Sequence, residues 1–375
     1  MSFELPSFVP NQISETLRAL YGRGFQSPLN VALATAIPLI TLYTAIPALT
    51  SSAPSLRSKR YPSLETLVVV ENSRVAKLKK RAREVYPPDL YGQGHSVDLP
   101  KGRVKYWLIG PEDGKRVVLI HGLSMPSLIW KPVANRLAKT GFRVLIYDLY
   151  GRGYTEAPDA QTTNYDADLY ITQLALLLQA VGWRKTRVIG LSMGGAIAAA
   201  FASQFPWLVE SNVTFIASAG VMEGSIGTPM TYWFGSAAFQ RLVHSSIGKF
   251  FYTPPPPPPT ATTLSSSEQL SKDLQTLVGL QTFILPGYTA AIAASIYVGP
   301  LRGLEKSFER VGKLKNVKIQ LIWGTKDTIV SYKYAGKIKS LIPHAELVTI
   351  DGAGHDLCVA YSDAVAEALI KFLRS

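Results

Sequence analysis

The chain has 375 residues, of which 47% are hydrophobic and 17% charged, a composition typical of a globular or partly membrane-associated protein. Lys and Arg outnumber Asp and Glu by 39 to 26, which gives a formal net charge of +13. No zinc-finger spacing or RNA-binding motif accompanies this charge, so we expect no nucleic-acid partner. The single cysteine, Cys358, excludes an intramolecular disulfide. Because the five histidines show no metal-ligand spacing, we expect neither a metal nor a cofactor.

Residues 1–56 form an N-terminal segment that contains a long apolar stretch. Residues 31–49 read VALATAIPLITLYTAIPAL, which is long enough to cross a bilayer as a helix of about 20 residues. We therefore predict a membrane anchor, with a targeting segment or an apolar arm packed on the following domain as alternatives. Arg57, Lys59 and Arg60 outnumber the cations before the stretch, so the rest of the chain is expected to face the cytoplasm.

Residues 57–94 are predicted to form a basic amphipathic helical linker. Between Arg57 and Arg83, nine Lys or Arg residues accompany only two Glu residues. From Pro62 onward, apolar side chains recur near helical spacing: Leu64, Leu67, Val68, Val75, Leu78, Ala82 and Val85. Such a helix is expected to lie in the headgroup layer of an anionic membrane surface. The alternative is an ordinary helix whose basic face is solvated.

Strand and helix patterns alternate over residues 95–220 and 311–375. Two strand patterns, Val104–Ile109 and Val117–Ile120, flank the turn Asp113-Gly114 and are predicted to form a hairpin. The patterns that follow are helices near 130–139 and 168–180, strands at 143–147, 187–189, 213–217, 318–323 and 346–350, and a closing helix at 359–373. This alternation predicts a mostly parallel sheet covered on both faces, with a site at the carboxyl ends of its strands.

Residues 221–310 interrupt the alternation. This insertion contains the polyproline stretch Pro254–Pro259, and after it Ser265 and Glu268 have the spacing of a capping box that opens a helix. Residues 279–301 carry no charged side chain. An apolar insertion between two core strands is predicted to be a cap over the site, with a second membrane-contacting surface as the alternative.

The segment Gly190-Leu191-Ser192-Met193-Gly194 joins a strand pattern to an Ala-rich helix pattern. Glycines two residues on either side of the serine permit a turn too tight for a Cβ, so the hydroxyl projects out of the sheet. The turn also places Ser192 at a helix N-terminus, where unpaired N–H groups and the helix dipole favour a developing oxyanion. Ser192 is therefore a candidate nucleophile.

A nucleophilic serine needs a base and a carboxylate that orients the base. Asp327 follows the strand pattern that ends at Trp323, and His355 follows the one that ends at Ile350. Both are thus expected at the sheet edge that carries Ser192. Three alternatives are open: Asp327 only caps the next helix, His355 is an ordinary loop histidine, or Glu223, which follows the strand before the insertion, is the orienting acid.

Residues 95–375 resemble the α/β-hydrolase fold. Besides the serine turn, the resemblance is carried by Val117–Gly122, which matches a strand leading into a His-Gly loop, and by Asp148–Thr155, which is similar to a D-x-x-G-x-G-x-S segment. It implies a mostly parallel eight-stranded sheet with helices on both faces and a helical cap. By the same resemblance, the backbone N–H groups of Leu123 and Met193 form an oxyanion hole, and His121 and Asp148 support the loops around it.

The resemblance implies a serine hydrolase that cleaves carboxylic esters through Ser192, His355 and Asp327 and an acyl-enzyme. The loop reads His-Gly-Leu-Ser, which is similar to the branch that contains monoacylglycerol lipases, C–C bond hydrolases and small-ester hydrolases. With the anchor, the basic linker and the apolar cap, the expected substrate is a lipid such as a monoacylglycerol or lysophospholipid. C–C bond hydrolysis, small-ester or thioester hydrolysis and a non-catalytic binding scaffold are the alternatives.

Overall fold

The computed structural model describes residues 59–223 and 265–375. The stretches 31–49 and Pro254–Pro259 lie outside the described residues. The strands are β1 (Arg60–Tyr61), β2 (Gly94–Leu99), β3 (Gly102–Ile109), β4 (Lys115–Ile120), β5 (Phe142–Tyr147), β6 (Ala157–Pro158), β7 (Thr186–Leu191), β8 (Val209–Ile216), β9 (Lys318–Gly324) and β10 (Glu346–Ile350). The α-helices are α1 (Arg74–Val85), α2 (Lys131–Lys139), α3 (Ala167–Ala180), α4 (Met193–Gln204), α5 (Ser266–Ile284), α6 (Tyr288–Tyr297), α7 (Glu305–Gly312), α8 (Lys333–Leu341), α9 (Leu357–Ala360) and α10 (Ser362–Arg374).

The central sheet has eight strands in the order β10-β9-β8-β7-β4-β5-β3-β2, and the five pairs from β10 to β5 are parallel. All six residues of β7 and the last four of β4 are buried. Strands buried on both faces need helices on both sides, which is why they read as continuous apolar runs. The predicted α/β architecture and its mostly parallel eight-stranded sheet are therefore confirmed.

The expected hairpin between β3 and β4 is wrong. Strand β5 lies between them, antiparallel to β3 with Tyr106 opposite Tyr147, and parallel to β4 with Val117 opposite Val144. The turn at Asp113-Gly114 is a local signal, whereas the order of the strands depends on burial across the whole sheet. Because β5 lies between two strands, its Leu145 and Ile146 are fully buried. If β3 paired with β4 instead, β5 would lose a neighbouring strand and part of this burial.

The predicted helix over the basic linker begins later than expected. Helix α1 starts only at Arg74, after Ser73, whose hydroxyl accepts a hydrogen bond from the Ala76 N–H at 3.1 Å. Asn72 has a φ of 61°, which ends any helix before it. The run Val68-Val69-Val70 also disfavours a helix, because β-branched side chains lose χ1 freedom there.

The apolar face of α1 is not available to a membrane. Its residues Leu78, Ala82 and Val85 are buried, and the helix packs against α5 of the insertion. The expectation that this face lies in a headgroup layer is therefore wrong. The reason is that α5 of the insertion covers this face.

The described part of the insertion, from residue 265 onward, is mainly helical. The capping box at Ser265 and Glu268 is present and opens α5, as predicted. The predicted end of the insertion at residue 310 falls inside α7, whose Phe308 stacks edge-on against Phe215 of β8 with ring centroids 5.0 Å apart. Helix α7 therefore covers the core sheet. Within 59–223 and 265–375 no single helix is both long enough and apolar enough to cross a membrane. Helices α5 and α6 have this length and apolarity only when taken together, and the chain bends by 105° between them.

Candidate active site

Ser192 occupies a strained turn between β7 and α4. Its backbone has φ 58° and ψ −120°, a conformation that a residue with a side chain rarely adopts. The two flanking glycines make this turn possible: a Cβ on Gly190 would lie 2.1 Å from the Gly194 carbonyl oxygen, and a Cβ on Gly194 would lie 2.1 Å from the Ile120 carbonyl oxygen. The serine is therefore held partly exposed at the end of the sheet, as the sequence predicts.

Backbone hydrogen bonds connect the loops that carry the candidate residues. The Ser192 N–H donates to the Ile216 carbonyl at 2.9 Å, and the Ala217 N–H donates to the Ile322 carbonyl at 2.9 Å. The Lys326 N–H in turn donates to the carbonyl of Ala353 at 2.9 Å. The loops after β7, β8, β9 and β10 thus form one continuous edge. A side chain on any of them is held on a rigid base.

Asp327 and His355 are in direct contact. The His355 Nδ1 atom lies 2.7 Å from Oδ2 of Asp327, and the Asp327 side chain is fully buried. The other oxygen, Oδ1, accepts hydrogen bonds from the N–H groups of Ile329 and Val330 at 2.9 and 2.8 Å. One oxygen of Asp327 therefore fixes its own loop and the second orients the imidazole. Its Nδ1 carries the proton in this arrangement, and Nε2 is the atom that can accept one.

The structure separates the two candidate acids. Glu223 is exposed and pairs with Lys337 at 3.2 Å and with Lys333 at 3.5 Å, away from the imidazole.

Among residues 59–223 and 265–375 no hydrogen bond joins the Ser192 hydroxyl to His355. Such bonds are often long before a substrate is bound, so this gap is compatible with proton transfer.

The loop after β4 approaches the serine closely. A Cβ on Gly122 would lie 3.3 Å from the Ser192 Cβ and 3.7 Å from its Oγ, so a larger residue here would crowd the serine. Leu123 follows Gly122 in the chain, and Met193, the first residue of α4, follows Ser192, so the backbone of both residues lies near the serine. Within the described part of the chain neither N–H donates to a backbone carbonyl. Two unpaired amides at this place are suited to bind an oxyanion.

His121 and Asp148 lie under these loops and are fully buried. The His121 Nε2 accepts from the Leu149 N–H at 2.9 Å, and its Nδ1–H donates to the Gly122 carbonyl at 2.8 Å. Burial lowers the pKa of His121 to about 3, so the ring is neutral. Burial also raises the pKa of Asp148 to about 6, although its carboxylate accepts hydrogen bonds from Tyr86 and from two backbone N–H groups.

Acid is expected to destabilise the fold through His121. Its folded pKa of about 3 lies below the unfolded value of 6.5, so only the unfolded chain takes up a proton between these values. The contribution of the neutral His121 to the free energy of unfolding is complete above pH 6.5. It decreases by roughly 1.4 kcal/mol per pH unit as the pH falls toward 3. We expect the wild type's advantage over His121→Gln, measured as the free energy of unfolding in urea, to shrink below pH 6.5. Asp148 has the opposite slope but is present in both proteins, so it cancels; an advantage independent of pH would contradict the expectation.

Arg152 is a site-supporting residue that the sequence analysis did not identify. Its guanidinium is fully buried and donates to the carbonyls of Leu123 and Tyr150, at 2.9 and 2.7 Å, and to the hydroxyls of Tyr170 and Ser295, at 2.6 and 3.0 Å. It thereby fixes the Leu123 peptide and ties α6 to it. A lone Arg in a glycine-rich segment carries no signal of this role, because all four acceptors are distant in sequence or part of the backbone.

The described part of the insertion lies over the site loops. The Tyr288 hydroxyl donates to the Ser124 carbonyl at 2.9 Å, next to Leu123. The Gly153 N–H donates to Gln281 Oε1 at 2.6 Å, and α5 packs against α9, which begins two residues after His355. Helices α5 and α6 therefore border both sides of the candidate site, as a cap would. Within the described ranges, no group of three or more His, Cys, Asp or Glu side chains is placed to hold a metal.

Comparison with known proteins gives one family and a consistent set of relatives. The model of the alpha/beta hydrolase family matches residues 117–368. Lipase 3 of Moraxella sp. (strain TA144) is 27% identical over 245 residues, which cover 64% of this chain and 72% of that protein.

Solved structures are similar in fold at lower identity. The enol-lactonase from Burkholderia xenovorans LB400 is 18% identical with a TM-score of 0.58, over 75% of this chain and 100% of that one. A meta-cleavage product hydrolase from Pseudomonas fluorescens IP01 is 19% identical with a TM-score of 0.55, over 75% of this chain and 97% of that one. At these identities the structures support the fold alone.

Proposed function

The chain belongs to the alpha/beta hydrolase family, and from that membership we propose that it hydrolyses carboxylic esters through Ser192, His355 and Asp327. The observation that carries the proposal is the contact of His355 with the buried Asp327, on the same sheet edge as the strained Ser192 turn. A serine alone on such a turn is a weak nucleophile. A base oriented by a buried carboxylate gives it a proton acceptor.

The mechanism follows from these positions. The Ser192 hydroxyl attacks the ester carbonyl and its proton passes to Nε2 of His355, while Asp327 holds Nδ1 and stabilises the imidazolium. The proton then passes to the leaving alcohol, which departs and leaves an acyl-enzyme. In the second half, His355 takes a proton from water, the hydroxide attacks the acyl carbon, and the acid is released with Ser192 regenerated.

The N–H groups of Leu123 and Met193 hold the negative oxygen in both tetrahedral intermediates. Each donor of this kind contributes about 3 kcal/mol to transition-state stabilisation. The buried Arg152 acts on this step indirectly, because it fixes the carbonyl side of Leu123 and so the direction of the loop. It is a positioning residue and not a catalytic one.

For the substrate we propose a lipid ester such as a monoacylglycerol or lysophospholipid. Helices α5 and α6 border the site and are rich in apolar side chains, which suits an acyl chain. The similarity to Lipase 3 of Moraxella sp., by its name a lipase, supports the same class of substrate. The anchor predicted at 31–49, with the catalytic domain facing the cytoplasm, belongs to the same proposal because it would keep the site beside a lipid surface.

A panel of p-nitrophenyl esters of increasing chain length, with Ser192→Ala as control, tests the proposal. We expect the wild type to hydrolyse medium and long chains faster than the acetate, and Ser192→Ala to be inactive. A fluorophosphonate probe should label the wild type but not Ser192→Ala. If the wild type is labelled but its activity is highest on the acetate, the proposed esterase activity stands and the proposed lipid substrate is refuted.

Other outcomes separate the remaining alternatives. Labelling without hydrolysis of any ester, together with cleavage of a vinylogous 1,5-diketone, would indicate a C–C bond hydrolase. No labelling of the wild type would indicate a binding scaffold.

A further inference from the structure

Two valines beside α1 are exposed to an unusual degree. Val68 is 93% exposed and Val70 79% exposed, and they are the most exposed of the large hydrophobic side chains in the described chain. The neighbouring Leu67 packs against the core. The segment 67–70, called the valine segment below, is therefore attached at Leu67 and projects at Val68 and Val70. Two aliphatic side chains exposed on one short segment form a small apolar projection, which is a candidate contact when its surroundings match a partner.

Cations of α1 lie beside the same segment. The Lys79 ammonium donates to the Leu67 carbonyl at 2.5 Å, and a shallow groove is lined by Val69 and Ala76, by the cations Lys79, Lys80 and Arg83, and by one acid, Glu84. Lys77 and Lys80 are exposed on the outer face of the helix. Apolar side chains beside a helix whose outer face is mainly cationic match a lipid layer with anionic headgroups, since the cations bind phosphates while the valines enter the acyl boundary.

We propose that Val68, Val70 and the cationic face of α1 form a membrane-contact surface for anionic lipid. Because the apolar face of α1 is buried against α5, the helix cannot insert that face. The contact is made by the valine segment and the outer cations instead.

This surface adjoins the proposed site, and the inference in this respect rests on the proposed function. The Leu64 N–H donates to the Gly153 carbonyl at 3.0 Å, and the Gly153 N–H donates to Gln281 of α5. The hydroxyl of Tyr86, just after α1, donates to Asp148. A bilayer on the valine segment therefore lies beside the cap through which a lipid ester would enter.

Site-specific fluorescence tests the surface directly. Val68→Cys and Val70→Cys are each labelled with a thiol-reactive nitrobenzoxadiazole dye, and Glu112→Cys, in the exposed turn between β3 and β4 at the opposite edge of the sheet, is the matched control. Cys358 is fully buried, so the introduced thiol takes the label. With vesicles of phosphatidylcholine and phosphatidylserine we expect emission to rise roughly threefold at residues 68 and 70, with a blue shift, and not at residue 112.

The charge requirement gives a second measurement. Each cation near an anionic surface contributes about fivefold in affinity, so Lys77→Gln with Lys80→Gln is expected to reduce the preference for anionic over pure phosphatidylcholine vesicles by about 25-fold. Unchanged emission at both valine positions, or an equal rise at residue 112, overturns the proposal. So does emission that rises with protein concentration without vesicles, because another copy of the chain would then be the partner.

Hydrolysis of soluble p-nitrophenyl butyrate by the same labelled proteins keeps the two proposals apart. Insertion of residues 68 and 70 without any hydrolysis refutes the esterase and leaves the membrane surface. Hydrolysis without insertion refutes the surface alone.

Discussion

Asp327→Asn is expected to lower kcat for ester hydrolysis by about 10⁴-fold, with a small change in KM. An asparagine in this place keeps one oxygen for the N–H groups of Ile329 and Val330, so the loop and the fold are retained. The amide then presents its N–H₂ to Nδ1 of His355, which favours the tautomer with the proton on Nε2. In that tautomer the imidazole cannot accept the proton of Ser192. Steady-state kinetics with a p-nitrophenyl ester and a urea titration of each protein measure the two effects.

Glu223→Gln is the matched control for this substitution. Glu223 was the alternative acid on sequence grounds, and its exposed pairs with Lys333 and Lys337 are of a kind that contributes little to stability. We expect its kcat to stay within about twofold of the wild type, as for surface substitutions away from a site. The assignment of the acid would be reversed if Glu223→Gln lost activity and Asp327→Asn retained it.

Gly194→Ala is expected to lower the free energy of unfolding by about 3 kcal/mol or more, the upper end of overpacking effects. The added Cβ would lie 2.1 Å from the Ile120 carbonyl oxygen and 2.5 Å from that of His121. These atoms belong to the backbone at the end of β4, which pairs with strands on both sides and cannot move away. Guanidinium unfolding measures the loss, and activity should fall with it because the Ser192 turn must open.

Gly336→Ala separates this effect from a general effect of alanine. Gly336 is exposed within α8, and a Cβ there meets nothing within 4 Å. Alanine is the better helix former, so the free energy of unfolding should rise by about 0.5–1 kcal/mol. If both variants unfolded at the same denaturant concentration, the close approach of α4 to β4 would not be what requires glycine at position 194.

Features that depend on neighbours in the chain could be read from the sequence. The serine turn is a short motif with a steric requirement for glycine, and the structure shows the strained backbone that the motif predicts. Asp327 and His355 each follow a strand pattern, and parallel strands end at one edge, so their proximity followed from topology. The capping box at Ser265 is likewise a spacing of three residues that fixes a helix start by itself.

Other features were decided only where distant segments meet. Apolar spacing predicted a face on α1 but could not show that α5 covers it, and the same pattern misplaced Val68 in the helix although the folded chain leaves it exposed. The local turn signal suggested that β3 pairs with β4, whereas the burial gained by β5 between them set the order. Arg152 gained its role from acceptors on three separate segments. Sequence periodicity predicts which side of a helix or strand is apolar, whereas only the tertiary structure shows which residues that side contacts.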